Sequence, residues 1–428
     1  MTRTEHRTII SRVVAGVLAL LLAACAAPPP SPDAAASTAD FRSRIQSQEA
    51  GDVRISAAVP SAVETKEIFA KPLYKKGIQP VWLRIENMQD EQVAFLPVGL
   101  DPHYFSPLQV ANLDVPEGAG SANLVNDFFV NQGVNLLVPP GEELSGFIFT
   151  NLDEGTKAFN VDIRGLDFFE SFTFFVPVPG LRIDHYDVDW RNLWPDDAWQ
   201  DLAPTALIEV LEAAPCCVTD KAGENTGDPL NLVLVGHPRD VYTAFIRAGW
   251  DETETVTGKS AWKTIKSFLS GGEYRYSPVS SLYVFERPQD VAFQWIRNNI
   301  HLRNHLRLWM SHYSYEGIPV WLGQISRDIG VRFTRKTITT LKIDPNVDET
   351  REYLLENLAY AQSLKAFGYV GGVGEVAIDE PRGNLTGDPW FTDGYRLVLW
   401  ISAKPVPISE IGVLDWRRPY ETAGESTR

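Results

Sequence analysis

Alternating hydrophobic and polar positions predict β-strands through the first part of the chain. Residues 81–86 and 159–164 each place an apolar side chain at every second position, the pattern of a strand with one buried face. Further strand-length apolar runs, separated by proline and glycine clusters, are Val93–Leu96, Phe147–Thr150 and Phe172–Val176. We therefore predict an immunoglobulin-like β-sandwich over residues 52–180, with one short helix within Ser121–Asn131.

From residue 228 onward the pattern changes to a mixture of strands and helices. The apolar run Leu230–Val235 predicts a strand, and Pro238 stands where a following helix takes its first residue. Further helices are predicted over Trp262–Leu269 and after Pro345. The other predicted strands are 282–286, 291–296, 305–310, 318–326, 331–341 and Tyr395–Ser402. This order predicts a mixed sheet with helices packed on it over residues 228–402, and an α+β multidomain protein as a whole.

An acidic connector and a tail complete the predicted organisation. The connector covers residues 181–227 and carries one amphipathic helix near Asp201–Ala213, and the tail covers residues 403–428. Three closely spaced aspartates at 184, 187 and 189 lack the glycine and the trailing glutamate of a calcium loop. We interpret them as solvated acidic surface.

The first 25 residues have the layout of an export signal. Three arginines precede the apolar stretch Val13–Ala24, which as a helix would span about 18 Å, too short for a bilayer core of about 30 Å. The sequence ending at Cys25 resembles the bacterial lipoprotein signal, in which the cysteine is lipidated and becomes the first residue of the mature protein. The alternatives are an uncleaved short anchor and a plain signal with an unrelated cysteine.

Residues 26–51 follow as a flexible tether, because their first part consists almost entirely of Ala, Pro, Ser and Thr. Ala26 after the cysteine favours, by resemblance to lipoproteins of two-membraned bacteria, an outer-membrane location facing the periplasm. We thus expect attachment to the membrane through N-terminal acyl chains such as palmitate.

The formal net charge of −16 disfavours a nucleic-acid-binding protein. The remaining two cysteines, Cys216 and Cys217, are adjacent. They can form a vicinal disulfide or another local pair, and a redox function is the less favoured reading. A zinc site would need Cys-x-x-Cys spacing and further ligands nearby, and the sequence has neither.

Five ordered blocks of the second half resemble the LssY-like C-terminal domain. The blocks are GDPLNLVLVG (227–236), SPVSSLYVFERPQDVAFQ (277–294), NHLRLW (304–309), IPVWLGQISRD (318–328) and KIDPNVDETREYL (342–354). Members of that family occur alone in lipoproteins or fused to bacterial membrane proteins of the DedA and phosphatidic-acid-phosphatase kinds. The resemblance implies a domain boundary near residue 228, but it does not point to a particular activity.

A basic region inside this domain suggests an anion site. Residues 276–344 hold nine Lys or Arg against five Asp or Glu. In a strand, His305, Arg307 and Trp309 share one face, and Arg and His side chains bind phosphate or carboxylate through charge-assisted hydrogen bonds.

With Arg327 from a nearby strand, and with His237 and Arg239 at a helix N-terminus, the basic residues form a candidate ligand site: His237, Arg239, His305, Arg307 and Arg327. The alternative is that these side chains are solvated or paired across strands.

These patterns predict a lipid-anchored envelope protein that binds an anionic lipid, a glycan or a protein partner, with no cofactor and no metal. The pair His301 and His305 has zinc spacing only on a helix, and this region reads as strand. The alternative function is a hydrolase of phosphate-containing envelope lipids, in which His305 is the acid or base and Asp328 orients it.

Overall fold

The computed structural model of the chain describes residues 40–113, 123–180, 188–190, 192–253, 280–296, 303–332 and 340–416. Within them the chain forms two compact units, residues 40–153 with 159–179 and residues 154–158 with 180–416. The predicted signal with Cys25, the predicted helix Trp262–Leu269 and His301 lie outside the described residues. No helix in these ranges is long and apolar enough to cross a bilayer.

The first unit contains two four-stranded sheets, with strand orders β1–β2–β3–β6 and β5–β4–β7–β8. The strands are β1 (Gln46–Ala50), β2 (Val53–Ala58), β3 (Ile78–Asn87), β4 (Val93–Leu96), β5 (Leu137–Val138), β6 (Glu143–Asn151), β7 (Thr156–Arg164) and β8 (Phe169–Pro177). Alternate residues of β3 and β7 enter one hydrophobic cluster, which confirms the strands predicted from the alternation. The immunoglobulin-like type of this unit stays a prediction.

Three helices accompany these sheets: α1 (Ala62–Phe69), α2 (Pro107–Ala111) and α3 (Asn123–Gln132). The helix predicted within Ser121–Asn131 is therefore confirmed as α3. Phe69 of α1 and Phe129 of α3 contact Phe149 of β6, with ring centroids 5.2 and 5.8 Å apart. A second aromatic core thus covers the face of β6 opposite to the first cluster.

The second unit is built on a ten-stranded sheet, whose main path runs β13–β16–β17–β18–β12–β23–β20–β24, with β9 paired to β17 and β19 paired to β18. The strands of this unit are β9 (Gln200–Asp201), β10 (Cys217–Thr219), β11 (Thr226–Pro229), β12 (Leu232–Val235), β13 (Asp251–Glu252), β14 (Tyr283–Val284), β15 (Arg287–Pro288), β16 (Val291–Ile296), β17 (Arg303–Tyr315), β18 (Ile318–Arg332), β19 (Thr340–Ile343), β20 (Leu364–Val370), β21 (Arg382–Gly383), β22 (Pro389–Trp390), β23 (Arg396–Ile401) and β24 (Gly412–Val413). A smaller sheet, β11–β10–β14–β15, and the hairpin β21–β22 complete the unit.

Helices cover both faces of the large sheet. They are α4 (Pro204–Ala213), α5 (Pro238–Arg247) and α6 (Val347–Tyr360), which confirms the three helices predicted in these segments. Leu207 and Leu211 of α4 pack in one cluster with Trp309 and Leu322 of the sheet. On the other face, Phe245 of α5 stacks on Phe293 with ring centroids 4.8 Å apart.

Two predicted strands are each divided between two paired strands. Residues 331–341 were expected to form one strand, but Val331 belongs to β18 and Leu341 to β19, and the two residues pair in an antiparallel ladder. Residues 282–286 contain only β14, because Phe285 and Glu286 both adopt positive φ and turn the chain into β15. A turn with two positive φ angles normally carries Asn or Gly, and Phe-Glu gives no such signal.

Candidate functional site

One face of the central hairpin β17–β18 changes from apolar to polar along its length. Trp309 lies opposite Leu322, and both belong to the core under α4. One step further on the same face, Arg307 lies opposite Gln324. Because side chains alternate across a strand with a period of two, His305, Arg303, Ser326 and Asp328 continue this polar face toward the open end of the hairpin.

The polar end of the face lines a cleft of about 400 Å³. Its polar and charged lining comprises Asp228, Ser280, Ser281, Arg303, His305, Arg307, Asp328, Asn384 and Thr386. This volume lies within the range of about 300–1,000 Å³ typical of small-molecule sites. The cleft is therefore the candidate site of the second unit.

Arg307 is a buried cation without an ion-pair partner among the described residues. Arg307 is only 4% exposed, and its Nη1 donates to Gln324 Oε1 at 2.9 Å. The Nε donates to the Ser280 carbonyl at 3.1 Å and Nη2 to Ser280 Oγ at 3.4 Å. Burial lowers the pKa of Arg307 to about 10, so the guanidinium remains charged at neutral pH.

A hydrogen-bond chain connects Arg307 to His305. Gln324 accepts from Arg307 through its oxygen, and its Nε2 therefore donates to Ser326 Oγ at 2.9 Å. Ser326 Oγ lies 2.9 Å from His305 Nε2. The register produces this chain directly, because Arg307 pairs with Gln324 and His305 with Ser326.

The other ring nitrogen of His305 faces Asp328. Nδ1 lies 3.4 Å from Asp328 Oδ2, an electrostatic contact too long for a strong hydrogen bond. Burial lowers the pKa of His305, and the charges of Arg307 and Arg303 act in the same direction against the attraction of Asp328. The imidazole is accordingly neutral at neutral pH, with the Nδ1–H tautomer favoured by the carboxylate.

Asp328 holds Arg303 at the end of the cleft. Arg303 Nε donates to Asp328 Oδ2 at 3.0 Å, and Arg303 Nη1 donates to Gln294 Oε1 at 2.6 Å. Burial alone would raise the pKa of the Asp328 carboxyl, but His305 and Arg303 outweigh it and hold this pKa below its usual value. Asp328 is thus an ionised, fully buried carboxylate, and its charge offsets that of Arg303.

Asp228 enters the cleft from β11. Burial raises its pKa, although Asn384 Nδ2 donates to its Oδ1 at 3.1 Å and the charge of Arg307 opposes the shift. A carboxyl group that favours the neutral form reduces the negative charge facing Arg307 and can donate a hydrogen bond. Protonation of Asp228 therefore makes the cleft more favourable for an anion.

Of the predicted site residues, the structure brings His305, Arg307 and Asp328 together in the cleft. His237 and Arg239 are exposed at the start of α5. They follow β12, whose last residue Val235 pairs with Val320, six residues along β18 from Ser326. At about 3.3 Å per residue this places them about 20 Å away along the sheet, so the predicted five-residue cluster does not form.

Arg327 also lies apart from the cleft. It neighbours Asp328 in sequence, and its side chain therefore points to the opposite face of β18. There Arg327 Nη1 donates to Glu349 Oε1 at 2.9 Å, and its guanidinium lies 5.8 Å from the Tyr353 ring centroid. Arg327 thus packs against α6. Its side chain is paired with other protein groups, which is closer to the alternative prediction than to a ligand site.

The two adjacent cysteines form a disulfide at the start of β10, which pairs with the strand that carries Asp228. Cys216 is bonded to Cys217. Cys217 pairs with Pro229, the residue after Asp228, and the Cys216 carbonyl accepts from the Leu230 amide at 2.8 Å. Arg396 donates to the carbonyls of Ala214 and Pro215 and fixes the approach to this bridge.

Several residues of the site were not predicted as such: Asp228, Gln294, Arg303, Gln324, Ser326 and Asn384. The period of two that grouped His305 with Arg307 also places Arg303 on the same face, so this residue could have been found. Gln324 and Ser326 required the register between β17 and β18. Asp228 and Asn384 reach the cleft through long-range contacts that no local pattern encodes.

Residues 209–395 match the family model described as LssY C-terminus. No curated protein matches the chain. The family match begins within α4 and includes every cleft residue named above. The chain therefore carries an LssY-like C-terminal domain, and the cleft belongs to it.

Proposed function

We propose that this chain is a cell-envelope protein whose LssY-like domain binds an anionic ligand in the cleft. The observation that carries the proposal is Arg307, a buried guanidinium that lines the cleft and has no carboxylate within ion-pair distance in the described part of the chain. A buried charge without a counterion is costly, and a phosphate or carboxylate bound in the cleft would supply one.

The arrangement favours binding at a fixed position. Gln324 and Ser280 hold the guanidinium of Arg307 through three hydrogen bonds, so little side-chain entropy remains to be lost when an anion binds. The planar guanidinium offers further N–H groups in a geometry that fits phosphate or carboxylate. An anionic group on a lipid, a glycan or a protein partner would satisfy this chemistry.

His305 supports binding more than catalysis. Nε2 contacts Ser326, and the buried Nδ1 lies 3.4 Å from Asp328 Oδ2, so both ring nitrogens are directed at protein groups in this arrangement. Ser326 is fully buried and does not line the cleft, which disfavours it as a nucleophile. Catalysis at His305 would require the ring to leave one of its present partners.

A titration with inorganic phosphate tests the proposal. Arg307→Gln should weaken phosphate binding about tenfold to a hundredfold, since hydrogen bonds between charged groups contribute about 1.5–3 kcal/mol and about 1.4 kcal/mol corresponds to tenfold. Arg327→Gln is the matched control, because it removes a guanidinium from the opposite face of β18. Calorimetry showing equal losses for both variants, or none for Arg307→Gln, would refute an anion site at Arg307.

The second candidate function is hydrolysis of phosphate-containing envelope lipids. It is favoured by the presence of His305 at the cleft with a carboxylate oxygen of Asp328 3.4 Å from its Nδ1. A phosphate-release assay with a panel of lipid phosphates, with and without divalent metal, decides between the two. Release that is abolished by His305→Gln would support the hydrolase, and no release from any substrate would exclude it for that panel.

Lipid anchoring is the proposed means of localisation. The basic and apolar pattern before Cys25 supports an acylated cysteine in the outer membrane facing the periplasm. The tether is then confined to the segment before residue 40, because Phe41 is buried in the first unit and Gln46–Ala50 form β1, so the predicted tether over residues 26–51 was too long. The first unit, of proposed immunoglobulin-like type, would then serve as spacer or binding platform. Mass spectrometry of the native protein should find an acylated Cys25 at the N-terminus, and an intact Met1 would contradict this location.

A further inference from the structure

The chemistry of the cleft specifies its ligand beyond a simple anion. Resting on the proposed function, we propose that the ligand is a phosphorylated sugar or related polyol, with its phosphate at Arg307 and a hydroxyl group at Asp328. The added observation is Asp328 Oδ1, a buried oxygen with no hydrogen-bond partner in the described part of the chain. Asp328 itself is 0% exposed and lines the cleft.

The unpartnered oxygen requires a donor from the ligand. Arg303 and His305 both face Oδ2, so Oδ1 keeps its full capacity to accept. The ionised carboxylate can only accept, and leaving a buried acceptor unsatisfied is costly. The ligand must therefore present an N–H or O–H group at this point.

Charge selects a hydroxyl over an ammonium group. The guanidinium of Arg303 already neutralises Asp328 at 3.0 Å, and Arg307 adds a second positive charge in the same cleft. An ammonium group would meet both cations, whereas a neutral hydroxyl donates without electrostatic penalty. The carboxylate of Asp328 beside Arg303 therefore favours a polyol hydroxyl over an ammonium group.

The two ends of the cleft are separate positions on the hairpin. Gln324, which faces Arg307, and Asp328 are four residues apart on β18, about 13 Å between Cα atoms at about 3.3 Å per residue. A phosphate carried on a sugar ring can place its phosphate at one position and a hydroxyl group at the other. The cleft volume of about 400 Å³ accommodates such a molecule.

A pair of ligands on the unmodified full chain tests the inference. Glucose 1-phosphate and cyclohexyl phosphate have the same ring size and the same phosphate, and only the first carries hydroxyl groups. Calorimetry should show binding about tenfold or more tighter for glucose 1-phosphate, because a hydrogen bond to a charged acceptor is gained. Equal affinities would overturn the inference and leave the anion site at Arg307 intact.

Two variants separate this inference from the function on which it rests. In Asp328→Asn the preference for glucose 1-phosphate should fall several-fold, because a hydrogen bond to a neutral amide is weaker than one to a carboxylate. Arg327→Gln should retain the native preference. An undiminished preference in a folded Asp328→Asn would overturn the inference, and phosphate binding that is insensitive to Arg307→Gln would overturn the proposed function instead. If Asp328→Asn does not fold, the ligand pair on the native chain still decides.

A vesicle experiment identifies the source of the polyol phosphate. Phosphatidylcholine vesicles containing phosphatidylinositol present a phosphate joined to a ring polyol at a lipid surface. Binding to these vesicles that glucose 1-phosphate competes away would assign the site to a lipid head group. Binding of glucose 1-phosphate without vesicle binding would assign it to a soluble or glycan-borne sugar phosphate, and the absence of both would refute the ligand class.

Discussion

Individual side chains in the cleft show how the protein tolerates several buried charges. Arg303 and Asp328 neutralise each other at 3.0 Å, and Arg307 is held only by neutral acceptors. The raised pKa of Asp228 and the lowered pKa of His305 both follow first from burial. Lowering the pH protonates Asp228 and His305, so the net charge of the cleft becomes more positive.

Asp228→Asn tests this assignment through stability. A carboxyl whose pKa is raised by folding stabilises the folded state below its unfolded value near pH 4 and loses that contribution as the pH rises through the folded value. We expect Asp228→Asn to be more stable than the native chain at pH 7 and to approach it near pH 4. Urea unfolding at both pH values measures the difference, and a variant less stable at pH 7 would contradict a raised pKa.

The same residue predicts the pH dependence of binding. Sulfate keeps a constant charge between pH 5 and pH 8, so its affinity reports on the protein alone. Sulfate binding should strengthen as the pH falls, because Asp228 and His305 take up protons next to Arg307. The dependence should be reduced in Asp228→Asn, and binding that weakens toward pH 5 would contradict this account.

At the level of elements, the β17–β18 hairpin positions the site. Its register determines which polar side chains meet, and a shift by one residue would move all of them to the other face. The turn at Glu316 and Gly317, both with positive φ, sets the pairing of Tyr315 with Ile318, and an irregularity between Met310 and Ser314 then shifts the register before the site. Gly317 also donates its amide to Asp201 Oδ1 at 2.9 Å.

Substitutions in this turn should affect stability in opposite directions. Gly317→Ala places a Cβ at φ 72° and should lower the free energy of unfolding by about 1 kcal/mol. Glu316→Asn should raise it by a few tenths of a kcal/mol, because Asn tolerates positive φ better than Glu. Chemical unfolding measures both, and a stabilising Gly317→Ala would show that the turn does not hold this conformation.

The elements were more predictable from sequence than the site. Hydrophobic periodicity located β3, β7, β16 and α6, since burial of one face is a local property of the pattern. It did not locate the turn at Phe285 and Glu286, whose positive φ angles are imposed by the surrounding sheet. Arg327 was assigned to the ligand site from the local excess of basic residues, which does not show on which face of a strand each residue lies.

For the whole molecule, the contrast between global and local charge has a kinetic consequence. The chain carries a formal net charge of −16, whereas the cleft contains an uncompensated guanidinium. Repulsion by the protein as a whole should slow the approach of an anion, and salt screens this repulsion over about 10 Å at 0.1 M.

We therefore expect the association rate of glucose 1-phosphate to rise with ionic strength when the added salt is a weakly competing one. Stopped-flow tryptophan fluorescence can follow binding, since Trp309 lies beneath Arg307 on the same face. An association rate that falls with salt would mean that the local positive charge of the cleft outweighs the net charge of the chain.

The central claim is that Arg307 is the anion-binding group. The most direct test is the ¹⁵N resonance of the arginine Nε–H groups during titration with inorganic phosphate, assigned with Arg307→Gln and Arg327→Gln. The account predicts a saturable shift of the Arg307 signal with the Arg327 signal unchanged. A titration that shifts Arg327 or Arg239 and leaves Arg307 in place would contradict it.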